Sequence, residues 1–405
     1  MPAEHDGSGR HHVIVDRTEY LEAVERIGAG AGPTAIDAER ASGYRYSQRA
    51  YLIQVYRRGS GAFLFDPPAV GDFTELGDAI GAGEWVIHAA TQDLTCLREV
   101  GIEPVRIFDT ELAARLLGMP RVGLGSVVEE TLGIHLAKEH SAVDWSTRPL
   151  PEAWLEYALL DVEHLVDVRD ALAAQLEAQG KTEIAEQEFA SVLARDLAPV
   201  RTEPWRRLSG LHTVRGPRGL AVARELWLER DDYARESDTA PGRLMPDAAI
   251  VAVARAMPNS KRALAGLKEF TGRASRTQLD RWWAAVERGM TTEDLPPVRI
   301  PSDALPPPRA WAERNPEADR RLKAARLAIA VVAEELAIPV ENLLTPDYLR
   351  RVAWSPPSPT TAGTIAAALA ALGARPWQTD ATAQRIADSF VEAAQAPEEA
   401  PEADS

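Results

Sequence analysis

The hydrophobic rhythm of this chain changes once, near residue 200, and that change limits the folds open to it. Before it, short apolar runs of strand length alternate with helix-like stretches. The runs are Pro33 to Ala38, Tyr51 to Tyr56, Ala62 to Phe65, Trp85 to His88 and Val105 to Phe108. The helix-like stretches are Glu19 to Ile27, Asp72 to Ile80, Leu94 to Val100 and Glu111 to Leu117. Short polar or Gly-rich links, Ala41 to Ala50 and Arg57 to Gly61, separate the first three strands, which predicts an antiparallel meander. Each later strand follows a helix, which predicts parallel pairing. The fold class is therefore α/β, a mixed sheet flanked by helices. Pro151 to Gln179 reads as one long helix, with Leu155, Leu159, Val162, Leu165 and Val166 forming its apolar stripe. Pro149 and Pro151 mark its start and Gly180 its end.

After the change no strand pattern remains. Helical rhythm covers Gly219 to Arg235, Pro246 to Ala256, Ser260 to Phe270 and Thr277 to Glu287. The passage L-P-P-V-R-I-P-S-D-A-L-P-P-P-R then excludes helix, because proline lacks the amide hydrogen and clashes with the preceding turn. The expected division is a disordered leader (1–12), an α/β domain (13–200), a helical domain (205–290), a Pro-rich linker (291–308), a second helical domain (309–395) and an acidic disordered tail (396–405). P-G-R-L-M-P-D from Pro241 and P-V-E-N-L-L-T-P-D from Pro339 echo each other between helices, which suggests duplicated helical modules.

Charge is unevenly spread. The whole chain carries −16, but residues 201–290 hold 17 Lys and Arg against 11 Asp and Glu. A basic helical module beside an acidic body suits docking of a polyanion, or is only a solvated arginine-rich surface. Cys96 is the single cysteine, so neither an intramolecular disulfide nor a thiolate zinc site can form. Its surroundings predict a small buried core residue. No apolar run reaches the ~20 residues that span a bilayer, and residues 1–12 lack a signal-type apolar stretch. The expectation is a cytoplasmic protein with no membrane contact and no obligate protein partner.

Acidic residues sit beside apolar runs that must bury. Asp37 and Glu39, in A-I-D-A-E-R, are two apart, so on a strand both point to one face. Asp93, in H-A-A-T-Q-D-L, opens a helix pattern and reads as a ligand or as a helix N-cap. Tyr157 and Asp161 are four apart and share a helix face. Carboxylates at the edge of a core are costly unless paired, and divalent cations with oxygen preference are suitable partners. Tyrosine, with a pKa of ~10, is a poor base at neutral pH but can orient a water.

Taken together and in this order, D-x-E, the aspartate of H-x-A-x-x-D-L and Y-x-x-x-D resemble the DEDD superfamily of 3′–5′ exonucleases in its tyrosine subclass, and within it the ribonuclease D family. A-Y-L-I-Q-V (50–55), I-F-D-T-E-L-A-A-R-L-L-G (107–118), G-L-G-S-V-V-E-E-T-L-G (123–133) and D-W-S-T-R-P-L (144–150) support the resemblance. It implies a ribonuclease H-like sheet over about 13–175, an HRDC-like helical domain over 210–290 and a second, diverged copy over 309–395. It further implies Asp37, Glu39, Asp93 and Asp161 as ligands of two divalent cations, Mg²⁺ or Mn²⁺, and Tyr157 as the group that orients the attacking water. Leu159 stands where the family often has alanine. Lys138 matches a position that is usually basic and could meet a phosphate. Gln54 reads as a nucleotide contact or a strand cap, and His88 as a hydrogen-bond support or a core histidine. Asp109 is expected to cap the helix that starts before Glu111. Trp205, Trp227, Trp282 and Trp283 could stack on bases, though their helical spacing suits a core. The implied activity is trimming of RNA 3′ ends to nucleoside 5′-monophosphates, with tRNA precursors as substrates. Two alternatives stay open: the same chemistry on DNA 3′ ends, since carboxylates see phosphates and not sugars, and an inert nucleic-acid-binding scaffold.

Overall fold

A computed structural model of the chain describes residues 11–136, 143–196, 202–300 and 303–395. Lys138, most of the leader and the acidic tail lie outside the described residues.

Among the described residues, six strands form one sheet in the order β1-β4-β3-β2-β5-β6. They are β1 Val13–Ile14, β2 Ala31–Arg40, β3 Ala50–Arg58, β4 Gly61–Phe65, β5 Trp85–Ile87 and β6 Ile107–Asp109. Strands β2, β3 and β4 are the expected antiparallel meander, and β5 and β6 add in parallel beside β2. Strand β1 carries no pattern of its own; it exists by pairing with β4.

Residue parity along β2 sets the site. Ile36 and Ala38 face the main core, which they share with the helix Arg17–Gly28 through Tyr20, Val24 and Ile27. Ala35 faces the other way, against Val162, Leu165 and Val166. Asp37 and Glu39 have the parity of Ala35 and therefore lie on that second face. The pairing register slips between Glu39 and Arg40, where regular strand geometry ends.

The stretch expected as one helix is two, Glu152–Glu163 and Leu165–Ala178, broken at His164. The two segments bury different surfaces. Leu155 and Ala158 pack with Tyr51, Leu52, Leu64 and Trp145, whereas Val168, Leu172 and Leu176 enter the main core. A straight rod could not reach both. The helix expected over 260–270 is also shorter, Lys261–Ala265, and ends at Gly266.

Beyond residue 200 the described residues are helical or irregular. Helices Gly216–Glu236, Asp247–Ala256 and Leu279–Thr291 enclose a core of their own around Leu226, Ile250, Trp282 and Val286. The buried Trp282 is thus a packing residue. Helices Pro316–Leu336 and Pro376–Gln395 do not form a separate core: Leu322, Ile329 and Ile386 belong to the same apolar cluster as the sheet. Among the described residues no helix is long and apolar enough to cross a membrane.

Candidate functional site: an acidic cleft

Asp37, Glu39, Asp93, Tyr157 and Asp161 line one cleft, together with Arg40, Tyr44, His88, Gln92 and Leu124. Asp37, Glu39 and Asp161 each offer a carboxylate oxygen, and these atoms lie within 4.8 Å of one another. The helix Glu152–Glu163 brings Asp161 and Tyr157 over the face of β2 that carries the other two acids. Tyr157 stands one helical turn before Asp161 and lines the same cleft.

Asp93 occupies the N-cap position of helix Leu94–Glu99, but its side chain makes no capping bond. The carboxylate is buried and sits 4.0 Å from Arg40 Nη2. A capping aspartate would bond the helix amides; this one instead lines the cleft. Gln54 pairs with Asp37 across the β2–β3 ladder, is fully buried, and donates from Nε2 to Asp37 Oδ2 at 3.3 Å. His88 Nδ1 lies 2.9 Å from Thr110 Oγ1. Burial pushes the His88 imidazole down to about 4, so it is neutral at pH ~7. Arg40 and Tyr44 carry no sequence signal beyond following Glu39 in the chain, and only the fold reveals them as cleft residues.

The electrostatics are those of crowded acids. Burial raises Asp37 to about 6, against the opposing pull of the Ala38 amide and Arg40. Burial and then Asp37 raise Asp161 to about 8, while the Tyr157 hydroxyl opposes. Glu39 and Asp93 stand well above the carboxylate range, first from burial and then from the neighbouring acids. Burial, Asp161, Glu39 and Asp37 all raise Tyr157, which keeps its proton. Such a set can be ionised together only if positive charge joins it. Hard divalent cations fit the donor chemistry, which is all carboxylate oxygen.

This has a pH signature in the metal-free protein. An acid whose folded pKa lies above its unfolded value binds more protons folded than unfolded between the two values. Stability then falls as pH rises through that window. The window runs from 3.8 to about 6 for Asp37 and from 3.8 to about 8 for Asp161. The thermal midpoint in EDTA is expected to fall between pH ~5 and pH ~8, and saturating Mg²⁺ or Mn²⁺ to flatten the fall. Calorimetric scans across that range check this, and a midpoint with the same pH slope in metal and in chelator would contradict it.

Asp109 does more than cap. Buried beneath the cleft, it accepts from Glu111 N (3.0 Å) and Leu112 N (3.1 Å) at the start of helix Thr110–Leu116. It also accepts from Ala89 N (3.1 Å) and Ala90 N (2.9 Å), which fixes the turn leading to Asp93. Ala89 has φ +58°, a left-handed conformation that a non-glycine residue keeps only when held. Asp109→Ala leaves the buried Ala89 and Ala90 amides without acceptors at ~1–3 kcal/mol each. It is also expected to weaken Mn²⁺ binding by ~10–100-fold through misplaced Asp93. Calorimetric titration with Mn²⁺ reads the second effect; an unchanged affinity would confine Asp109 to stability.

Comparison with known proteins agrees with this geometry. Residues 12–177 match the family model of the 3′-5′ exonuclease, residues 219–286 that of the HRDC domain, and residues 304–390 that of the 3′ to 5′ exonuclease C-terminal domain. Ribonuclease D of Pseudomonas paraeruginosa is 32% identical over 316 residues, which cover 76% of this chain and 81% of that protein. The crystal structure of Escherichia coli RNase D superposes with a TM-score of 0.69 at 25% identity, covering 94% of this chain and 99% of that one. A protein from Bifidobacterium adolescentis superposes with a TM-score of 0.87 at 36% identity, covering 94% and 97%. With an exonuclease fold, an acidic cleft and relatives aligned over most of both lengths, the chain belongs to the ribonuclease D family.

Proposed function

We propose that this chain is a metal-dependent 3′–5′ exoribonuclease that releases nucleoside 5′-monophosphates from RNA 3′ ends, with tRNA precursors among its substrates. The observation that carries the reading is the meeting of Asp37, Glu39 and Asp161 within 4.8 Å in a cleft shared with Asp93 and Tyr157. The relative from E. coli is described as an exoribonuclease involved in structured RNA processing.

Asp37, Glu39 and Asp161 are close enough to share one cation, and Asp93, whose carboxylate feels Asp37 most among the acids, would help hold a second. Mg²⁺ or Mn²⁺ there would supply the positive charge that makes water a competent nucleophile and offsets charge on the phosphoryl and leaving oxygens. The chain's own residues do the rest. Gln54 fixes the Asp37 carboxylate from behind. Tyr157, held protonated, presents its hydroxyl beside Asp161 and orients the water. Attack on phosphorus breaks the bond to the 3′ oxygen. The upstream strand keeps a 3′ hydroxyl, and the released nucleotide keeps the phosphate on its 5′ oxygen.

A 5′-labelled single-stranded RNA should shorten progressively from its 3′ end, with loss of activity in EDTA and recovery on adding Mg²⁺ or Mn²⁺. A matched DNA oligomer run in parallel tests the sugar. Trimming that continues in excess chelator, or faster trimming of DNA than of RNA, would overturn the respective part of the reading.

A further inference from the structure

One wall of the cleft is built by two parts of the chain. The loop 41–49 follows directly on the strand that carries Asp37 and Glu39, and its Ser42, Gly43 and Tyr44 line the cleft. The helical module grips this loop from the far side. The Tyr44 carbonyl accepts from Ala240 N at 3.0 Å, Ser47 N donates to Asp238 Oδ1 at 2.9 Å, and the Tyr46 hydroxyl donates to Asp231 at 3.2 Å.

Arg243, in the turn Pro241–Leu244, lays its guanidinium over the Tyr44 ring, 4.6 Å from the centroid. Several arginines of the module are held in ion pairs. Arg224 pairs with Asp294, Arg230 with Asp247, and Arg281 and Arg288 with Glu229. Arg243 is exposed and, among the described residues, has no carboxylate within 4.0 Å. A half-buried aromatic ring therefore stands in the cleft wall, clamped through its backbone and braced by a cation whose charge is uncompensated. The brace restricts the ring's rotation, so less freedom is lost when a flat group stacks on it. The guanidinium can accept a phosphate without first breaking an ion pair.

We propose that Tyr44 and Arg243 form a nucleotide subsite shared by the α/β part and the helical module. Tyr44 stacks on a nucleobase of the RNA upstream of the scissile bond, and Arg243 contacts the adjoining phosphate. The proposal rests on the exoribonuclease reading and names how that same cleft grips its strand.

The test uses the full-length chain with Mg²⁺ and RNA oligomers that carry a single abasic residue at successive positions from the 3′ end. Trimming of unmodified RNA by the parent protein comes first; if it fails, the functional reading fails and not this subsite alone. In the parent protein one abasic position should raise KM about tenfold or more, the usual effect of losing a base–aromatic stack. Tyr44→Ala should raise KM on unmodified RNA by the same factor and abolish the penalty at that position, whereas Tyr44→Trp should restore both. Arg243→Gln, at an exposed site, should raise KM and reduce the slope of log KM against log salt by about 0.7, the value for one phosphate contact on a single strand. An abasic penalty that persists in Tyr44→Ala overturns the stacking role, as does parental KM in that variant. An unchanged salt slope in Arg243→Gln overturns the phosphate contact.

Discussion

Asp37→Asn is expected to slow RNA trimming by about 10²–10³-fold, the scale of losing one directly stabilising group in a preorganised site. The same change should raise the thermal midpoint of the metal-free protein at pH ~8. The opposite signs share one cause. Asp37 is the acid whose charge weighs most on Glu39, Asp93 and Asp161. In the proposed reading its negative charge would help hold the cations, and a neutral amide would not replace it. Without Mg²⁺ that charge is only repulsion in a partly desolvated cleft. Asparagine keeps the shape and still offers Gln54 an acceptor, so the fold loses little. Each kcal/mol of repulsion relieved should appear as ~2–4 °C in the midpoint for a unit of this size. Gel-based time courses with 5′-labelled RNA, paired with scanning calorimetry in EDTA, separate the outcomes. Activity near that of the parent protein would remove Asp37 from the metal site. Activity and midpoint falling together would mean the variant is simply misfolded.

The sheet is legible in the sequence because each main strand is an apolar run closed by Gly, Pro or polar residues, and parity alone puts Asp37 and Glu39 on one face. The features that could not be read depend on partners distant in the chain. Strand β1 has no pattern without β4. The break at His164 exists because two surfaces must be covered, yet the apolar stripe runs through it without Pro or Gly. Asp93 shows how a local rule can be correct and incomplete. Its backbone is the N-cap that the sequence allows, but its side chain serves the cleft. Asp109 shows the reverse: the cap is real, and the second pair of bonds to Ala89 and Ala90 is visible only once β6 lies beside β5. Gln54, open to a role with nucleotide when read in L-I-Q-V, is sealed behind Asp37. The Pro-rich passage suggests that the C-terminal helices are a separate unit. Leu322, Ile329 and Ile386 nevertheless join the apolar cluster that also contains the sheet.

That shared core makes Glu188→Ala the most damaging substitution expected away from the cleft. Glu188 is buried on helix Thr182–Leu193 and reaches across to the C-terminal helices. It accepts from Arg375 Nε and Nη2, each at 2.7 Å, and from Trp377 Nε1 at 2.8 Å. Gln187 beside it accepts from Trp377 N at 3.1 Å. Truncation would leave a guanidinium with 14% side-chain exposure and an indole N–H without acceptors. Breaking one side of a buried pair costs ~3–5 kcal/mol, because the remaining charge stays desolvated. Replacing both partners, as Glu188→Leu with Arg375→Met, should recover much of that loss, since the buried charge is removed with its partner. The damage should also be local. Helices Gly216–Glu236 and Leu279–Thr291 enclose a different core and share no side chain with this contact. Hydrogen exchange read by mass spectrometry should show protection lost in Pro316–Leu336, Pro376–Gln395 and Thr182–Leu193, and retained in the helical module. Unchanged exchange in Pro376–Gln395 would show that the apolar contacts hold the C-terminal helices without the ion pair. Equal loss in the helical module would show that the two cores unfold as one unit.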